Sequence, residues 1–292
     1  NVLIIFDNSS SMMCCYNTNC SFPVNCGTLA DQRLYIAKNA INNLVSKTNG
    51  VKFGLMVFND NAEGGRVIQG LTDNKVDITN SVNNITTTRP SGADAGSSLV
   101  SGGYTYTPLA ESLAEAGRYF AGLPPWFNNS PSTYNSPILQ ECQKNYIILM
   151  TDGTPTGDDN LGSMLTDGIY ENNVNIPAAG ESGSYLDDVA KYLHEQDCRT
   201  DLGNGQFLYQ TIDTHPVGFT LTNALLTQTA ANSETVALTA YNTAQLEQGL
   251  LDVIATVQDE NVNGVYTPPT IPRSPQNSSE AGDMAYMAFF KP

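Results

Sequence analysis

Short unbroken runs of apolar residues alternate along this chain with longer stretches in which apolar positions recur at helical spacing. Residues 2–6 (Val-Leu-Ile-Ile-Phe) are one such run and stop at Asp7, the pattern of a strand buried on both faces of a parallel sheet. Residues 51–58 and 145–150 repeat the pattern, the latter ending close to a second aspartate, Asp152. Between the first two runs, Leu34, Ala37, Ile41, Leu44 and Val45 fall on one face of a helix over 30–48, with Asn49-Gly50 as its stop. A polar turn over 59–65 leads to residues 66–71, which should pair back as an edge strand, and Asp73 is placed to cap a helix ending near Ile85. A Gly- and Ser-rich loop over 90–106 precedes a helix over 108–123, with Leu109, Leu113 and Ala116 on one face.

Beyond the third apolar run, a long polar insertion ends in a helix over 185–195. A strand over 207–212, interrupted and resumed over 217–219, is followed by a helix over 221–231 and a strand over 235–239. The last helix, over 243–257, carries Leu246, Leu250, Val253, Ile254 and Val257 on one face. This alternation predicts an α/β fold: a doubly wound, mostly parallel central sheet with one short antiparallel edge strand and helices on both faces. The domain is expected to span 1–258, with insertions at 12–29 and 153–205. After it, 259–282 reads as a Pro-rich linker and 283–292 as the first strand of a C-terminal domain that the sequence does not include.

Composition narrows the partners. The net charge is −16, from 13 basic against 29 acidic residues, so a nucleic-acid backbone would be repelled over most of the surface. Only 14% of residues are charged, below the roughly 25% of ordinary domains, and the remaining polarity is largely Asn, Thr, Ser and Gly, which suits a secreted or surface protein. No apolar stretch approaches the roughly 18 residues of a membrane span. The N-terminus shows no signal peptide, and Asn1 runs straight into the first strand, the pattern of a chain whose upstream sequence has been removed.

Six cysteines admit three readings: disulfides, a zinc site or a reactive thiol. Cys14, Cys15, Cys20 and Cys26 crowd one Asn-rich loop at spacings that fit zinc poorly, so disulfides in an oxidising compartment are the expectation. Cys142 and Cys198 each precede a strand and should meet at the lower edge of the sheet as a disulfide, leaving the other four to pair within their loop.

In a doubly wound sheet, ligands bind beyond the carboxyl ends of the strands, where the connections reverse direction. If the strands at 2–6 and 145–150 are neighbours, Asp7 and Asp152 face one another there. Ser9 and Ser11 follow Asp7 at alternate positions, so one loop can aim three oxygen-bearing side chains at a single point. Carboxylate and hydroxyl oxygens suit a hard divalent cation, Mg2+ or Ca2+, with Mn2+ as a third candidate. On the bland alternative, the aspartates are turn residues and the serines merely populate a polar loop.

At these residues the chain resembles a known family. Asp7-Asn8-Ser9-Ser10-Ser11 is similar to the Asp-x-Ser-x-Ser signature of the metal ion-dependent adhesion site in von Willebrand factor A domains. Thr107-Pro108-Leu109 resembles that family's second loop, and Thr151-Asp152-Gly153 its third; Thr105 is the runner-up to Thr107. The resemblance covers about residues 1 to 258. It implies that Ser9, Ser11 and Thr107 bind the ion directly or through water and that Asp7 and Asp152 supply the charge. A partner's acidic group would complete the shell, as expected of an adhesion module rather than an enzyme.

A narrower resemblance is to the PilY family of type IV pilus tip adhesins and assembly factors. It rests on the segment from Tyr185-Leu186-Asp187-Asp188 through Leu193 to Asp197 and Leu202, and on residues 283–292, which look like the entry to that family's C-terminal β-propeller. It implies an extracellular protein at the cell surface or pilus tip, acting in attachment and pilus biogenesis, with a protein or host-surface ligand and minor pilins as partners.

Other classes compete less well. A haloacid dehalogenase-type phosphohydrolase needs a second aspartate where this chain has Ser9, and a Ser-His-Asp hydrolase lacks its Gly-x-Ser-x-Gly elbow. The two histidines, His194 in a helix and His215 beside a proline, read as surface or structural residues. A structural reading also stands, in which the metal only stabilises the loops of a force-bearing module. Under adhesion, Asp7→Ala should abolish ligand binding and leave the fold largely intact.

Overall fold

The structure is a computed structural model that describes residues 1–17, 28–60, 63–86, 106–141, 143–158, 160–161, 185–202 and 209–262, with short stretches of strand beyond them. The apolar runs at 2–6 and 145–150 become adjacent central strands, β1 (Val2–Phe6) and β4 (Asn145–Thr151), every residue of both being buried. β2 (Phe53–Phe58) lies on the other side of β1, and β3 (Gly65–Thr72) pairs back on it antiparallel as the edge. With β5 (Ile212–Phe219) and β6 (Leu238–Ala240) the sheet order is β3-β2-β1-β4-β5-β6. Every contact except β2–β3 is parallel, so the doubly wound sheet with one antiparallel edge strand is the observed fold.

Period-two alternation divides the strand side chains between two faces. Leu3, Ile5, Met56, Phe58, Ile147, Leu149 and Ile212 form one buried cluster with α3 (Leu109–Ala121), α4 (Tyr185–Glu195) and α5 (Ala224–Asn232). On the other face Val2, Ile4, Phe6, Leu55, Val57, Ile148 and Met150 are equally buried. That side carries α1 (Arg33–Lys47) and α2 (Lys75–Asn83), and Asn43 of α1 donates to Glu247 Oε1 at the start of α6 (Thr243–Val262) at 2.7 Å. Among the described residues, no helix is long and apolar enough to cross a membrane.

Several elements depart from the sequence-based expectation. The α2 cap is Asn74, whose side chain accepts from Val76 N at 3.1 Å; Asp73 stands one residue too far out. The strand expected over 207–212 begins only at Ile212, residues 207 and 208 lying outside the described residues, and it runs unbroken through the expected interruption at Pro216. β6 pairs with β5 only from Val217 onward, so Pro216 meets no partner strand on that side. The carbonyl of Thr214, which shares its edge, is taken by the Thr235 hydroxyl at 2.6 Å, so a proline without N–H costs no ladder bond there.

The expected Cys142–Cys198 disulfide is overturned. Cys198 carries a free thiol that donates to the Gln210 carbonyl at 2.7 Å, and the backbone N–H of Cys198 donates to that same oxygen. These bonds hold the sulfur against the approach to β5, and burial, aided by Asp197, pushes the thiol up to about 12. Cys142, Cys20 and Cys26 lie outside the described residues, while Cys14 and Cys15 are disulfide-bonded.

The chain divides into two compact units, residues 1–251 and 252–292. In the smaller unit, stretches read as linker and terminal strand contain β7 (Val265–Tyr266) paired antiparallel with β10 (Phe289–Phe290), and β8 (Arg273–Ser274) paired with β9 (Asn277–Ala281).

Asp188 in the first turn of α4 is fully buried, and neither carboxylate oxygen has a hydrogen-bond partner. Burial, helped by the neighbouring Asp187, raises its pKa to about 7. A raised folded-state pKa favours folding below the unfolded value near 3.8, and that contribution is lost as pH rises through about 7. Asp188→Asn should therefore raise the thermal unfolding midpoint at pH 8 and leave it nearly unchanged at pH 4. Equal effects at both pH values would rule out ionisation as the cause.

Candidate metal centre

β1 and β4 are adjacent, yet the chain leaves β1 toward β2 on one side while β4 leads to β5 on the other. The switch point thus lies between their carboxyl ends, where an open α/β sheet forms its binding crevice. The register pairs Phe6 with Met150, and Asp7 N donates to Met150 O at 3.0 Å, so Asp7 and Asp152 emerge side by side.

The loop after β1 is shaped by its own hydrogen bonds. Ser9 N donates to Asp7 Oδ1 at 2.8 Å, and residues Ser10–Met13 wind into a 3-10 turn that buries Met12. Asn8 spans outward: its Oδ1 accepts from Phe58 N at 3.0 Å, and its Nδ2 donates to Thr86 O at 3.1 Å. Further along, Arg33 N donates to Cys14 O and Tyr16 N to Asp31 O, fastening the loop to the start of α1.

The serine hydroxyls point into the crevice. Ser11 Oγ donates to Asp152 Oδ1 at 2.6 Å and lies 2.9 Å from Ser9 Oγ; with its proton committed to Asp152, Ser11 receives the one from Ser9. Thr151 Oγ1 donates to Asp7 Oδ2 at 2.7 Å. The second loop joins through a bridge in which Thr107 N donates to Thr156 O at 3.0 Å and Thr156 N returns to Thr107 O at 3.2 Å. Gly153 marks the convergence: a Cβ there would lie 3.7 Å from Thr107 Oγ1 and 3.8 Å from Ser11 Oγ. All five residues singled out in the sequence, Asp7, Ser9, Ser11, Thr107 and Asp152, are thus brought to one place; Thr105 lies outside the described residues.

The electrostatics are those of a crowded acidic pair. Asp7 is wholly buried, and burial followed by the charge of Asp152 raises its pKa to about 7. Burial likewise raises Asp152, opposed by the Ser11 hydroxyl and by Arg33. Two buried carboxylates and three hydroxyls make an all-oxygen donor set with a deficit of positive charge, which fits a hard divalent ion. Among the described residues no cluster of three or more His, Cys, Asp or Glu could hold a metal, so an ion here depends on the hydroxyls.

Arg33 was not anticipated from the sequence. It opens α1, is buried, and its Nη1 donates to Asp152 Oδ2 at 2.8 Å. Sequence does hold one signal, a cation in the first turn of a helix, where the exposed N–H groups disfavour it. The histidines sit elsewhere. His194 Nδ1 lies 2.6 Å from Asp213 Oδ1, and Asp213 is level with Tyr146 at the far end of β4, roughly 15–20 Å from the crevice at strand spacing. His215 is buried within β5, its ring 6.0 Å from that of Tyr146.

The fold and site define an open α/β domain with an oxygen-lined crevice at its switch point. The chain belongs to the von Willebrand factor type A domain family, whose model matches residues 2–154 and so takes in all three loops. No curated protein matches it significantly. Among solved structures it is similar to the conserved hypothetical protein BatB from Bacteroides thetaiotaomicron, at 16% identity and a TM-score of 0.51, over 88% of this chain and 98% of that one. A von Willebrand factor type A protein from Catenulispora acidiphila matches at 16% identity and a TM-score of 0.46, over 93% of this chain and 45% of that one. The PilB minor pilin from Streptococcus sanguinis matches at 16% identity and a TM-score of 0.47, over 89% of this chain and 62% of that one.

Proposed function

We propose that this chain is a divalent-cation-dependent adhesion or protein-binding domain of an extracellular bacterial surface protein, at the tip of a type IV pilus in the PilY manner. The supporting observation is the meeting of Asp7, Ser9, Ser11, Thr107 and Asp152 from three separate loops at the crevice. When bound, the ion would offer an electrophilic position to a carboxylate of the partner. Asp7 and Asp152 balance its charge, while the Ser9, Ser11 and Thr107 hydroxyls present neutral oxygens. Disulfide-bonded Cys14 and Cys15 beside the first loop agree with an oxidising, extracellular setting.

Adhesion is favoured over a purely structural metal because the loops are already tied together by protein groups alone, through the Thr107–Thr156 bridge and the Ser11–Asp152 bond. Calorimetric titration with Mn2+ is expected to show one ion per chain, absent in Asp7→Ala. Binding to candidate minor pilins should disappear in EDTA and return with excess Mg2+. Partner binding that survives EDTA would support the structural role instead.

A further inference from the structure

The Arg33–Asp152 pair is a buried ion pair inside the crevice, contributed by a helix that belongs to none of the three loops. A guanidinium at the first position of a helix meets unfavourable N–H dipoles, and its burial is costly without a partner. Arg33 Nε, moreover, is buried and makes no hydrogen bond. What the cation does there follows from charge balance.

We infer that Arg33 strengthens this centre's selection of an anionic partner, by leaving the ion-loaded crevice one positive charge in excess. The inference rests on the proposed metal reading. Asp7 and Asp152 alone, both ionised, would match a divalent ion and give a formally neutral centre, whose pull on a carboxylate comes only from the ion's open position. With Arg33 held at 2.8 Å from Asp152 and both carboxylates ionised, as ion binding requires, the crevice carries one net negative charge before the ion enters and one net positive charge after. In this buried setting that charge is weakly screened. A single carboxylate from a partner neutralises it.

Two consequences follow. Arg33 opposes ion binding when no acid is present, and ion and acid each raise the affinity of the other by the same factor. Arg33 need not leave for the ion to enter, because it holds only Oδ2. Asp152 Oδ1 accepts from the Ser11 hydroxyl, whose proton can rotate away.

The test is Mn2+ titration by calorimetry of the wild-type chain, Arg33→Gln and Arg33→Lys, each in sodium acetate and in the neutral isostere acetamide. Wild type should bind Mn2+ several-fold tighter in acetate than in acetamide. Arg33→Gln should bind Mn2+ about ten-fold tighter than wild type in acetamide and lose most of the acetate effect; Arg33→Lys, which keeps the charge, should restore both. Circular dichroism and the ion-free unfolding midpoint establish that the variants are folded.

A folded Arg33→Gln that binds Mn2+ no tighter than wild type, or keeps the full acetate response, overturns the inference while leaving the metal site standing. Lack of any acetate effect on wild type overturns it without recourse to a variant. A wild-type chain that binds no Mn2+ removes this inference and the proposed function together.

Discussion

Asp7→Asn should eliminate Mn2+ binding and at the same time raise the unfolding midpoint of the ion-free protein at pH 8. Asp7 is fully buried, and its folded-state pKa is about 7 against 3.8 for the free side chain, because of burial first and the Asp152 charge second. The raised value means that its contribution to stability is complete below about pH 4 and is lost as pH rises through 7. In the ion-free wild type the midpoint should therefore decline between pH 4 and 8. Asparagine cannot ionise, so the variant's profile should be flatter over that window.

The hydrogen bonds survive the exchange. The asparagine Oδ1 can still accept from Ser9 N, and Thr151 Oγ1, now facing an amide N–H, can turn its own proton to Gly153 O at 3.1 Å. Adding Mn2+ at about 100 times its Kd should stabilise the wild type at pH 8 by about 2.7 kcal/mol and leave the variant unmoved. Matching pH profiles for the two proteins, or equal stabilisation by Mn2+, would show that Asp7 is neither strained by its charge nor a ligand.

How far the sequence carries depends on where each side chain finds its partner. The unbroken apolar runs at 2–6 and 145–150 are legible because a central parallel strand is buried on both faces by elements that carry their own periodic patterns. Asp7, Ser9 and Ser11 are legible because one local loop aims them together, and Thr107 and Asp152 because each stands at a strand end or helix start. Arg33 was missed because its partner is 119 residues away and only the tertiary fold brings them within reach. Cys198 was misassigned for a related reason: sequence placed it near the correct sheet edge, but the bond it makes is to a backbone carbonyl, which no residue type advertises.

The limit is clearest on α3. Its spacing predicted a helix with one apolar face on Leu109, Leu113 and Ala116, yet it is buried nearly all round, with Glu111, Glu115 and Arg118 inside. The residues that enclose its polar side come from segments without periodicity. Asp158, in the third loop, accepts from Ala110 N and Glu111 N at 2.9 Å each and so caps the helix that starts beside Thr107. Glu111 Oε2 accepts from Gly64 N at 2.7 Å, and its Oε1 from Asn160 N at 3.2 Å. These buried carboxylates hold the second and third loops against one helix end, which keeps the Thr107 side of the crevice in place.

Glu115→Ala is accordingly expected to give the largest loss of stability of any single substitution considered for this protein. Its carboxylate is fully buried and gathers the segment after α3 onto the helix. Oε2 accepts from Trp126 N at 2.9 Å and Phe127 N at 3.4 Å; Oε1 accepts from Asn128 Nδ2 at 3.0 Å and the Tyr134 hydroxyl at 2.6 Å. Arg118, one turn on, stacks over the Trp126 ring at 4.1 Å and donates to Pro124 O, so the same segment is clamped twice. Alanine would strand these donors out of contact with water, at roughly 3–5 kcal/mol. Glu115→Gln should cost less, since one oxygen still accepts, but its amide would face donors where the wild type has an acceptor. Tyr134→Phe removes a single donor and leaves Glu115 its other three, so its effect should be the smallest. Denaturant unfolding of the three variants should therefore rank Ala below Gln below Phe, while Mn2+ affinity, measured where all remain folded, changes little. An alanine variant as stable as wild type would mean that water reaches these groups and that the buried carboxylate is not what fastens the segment to α3.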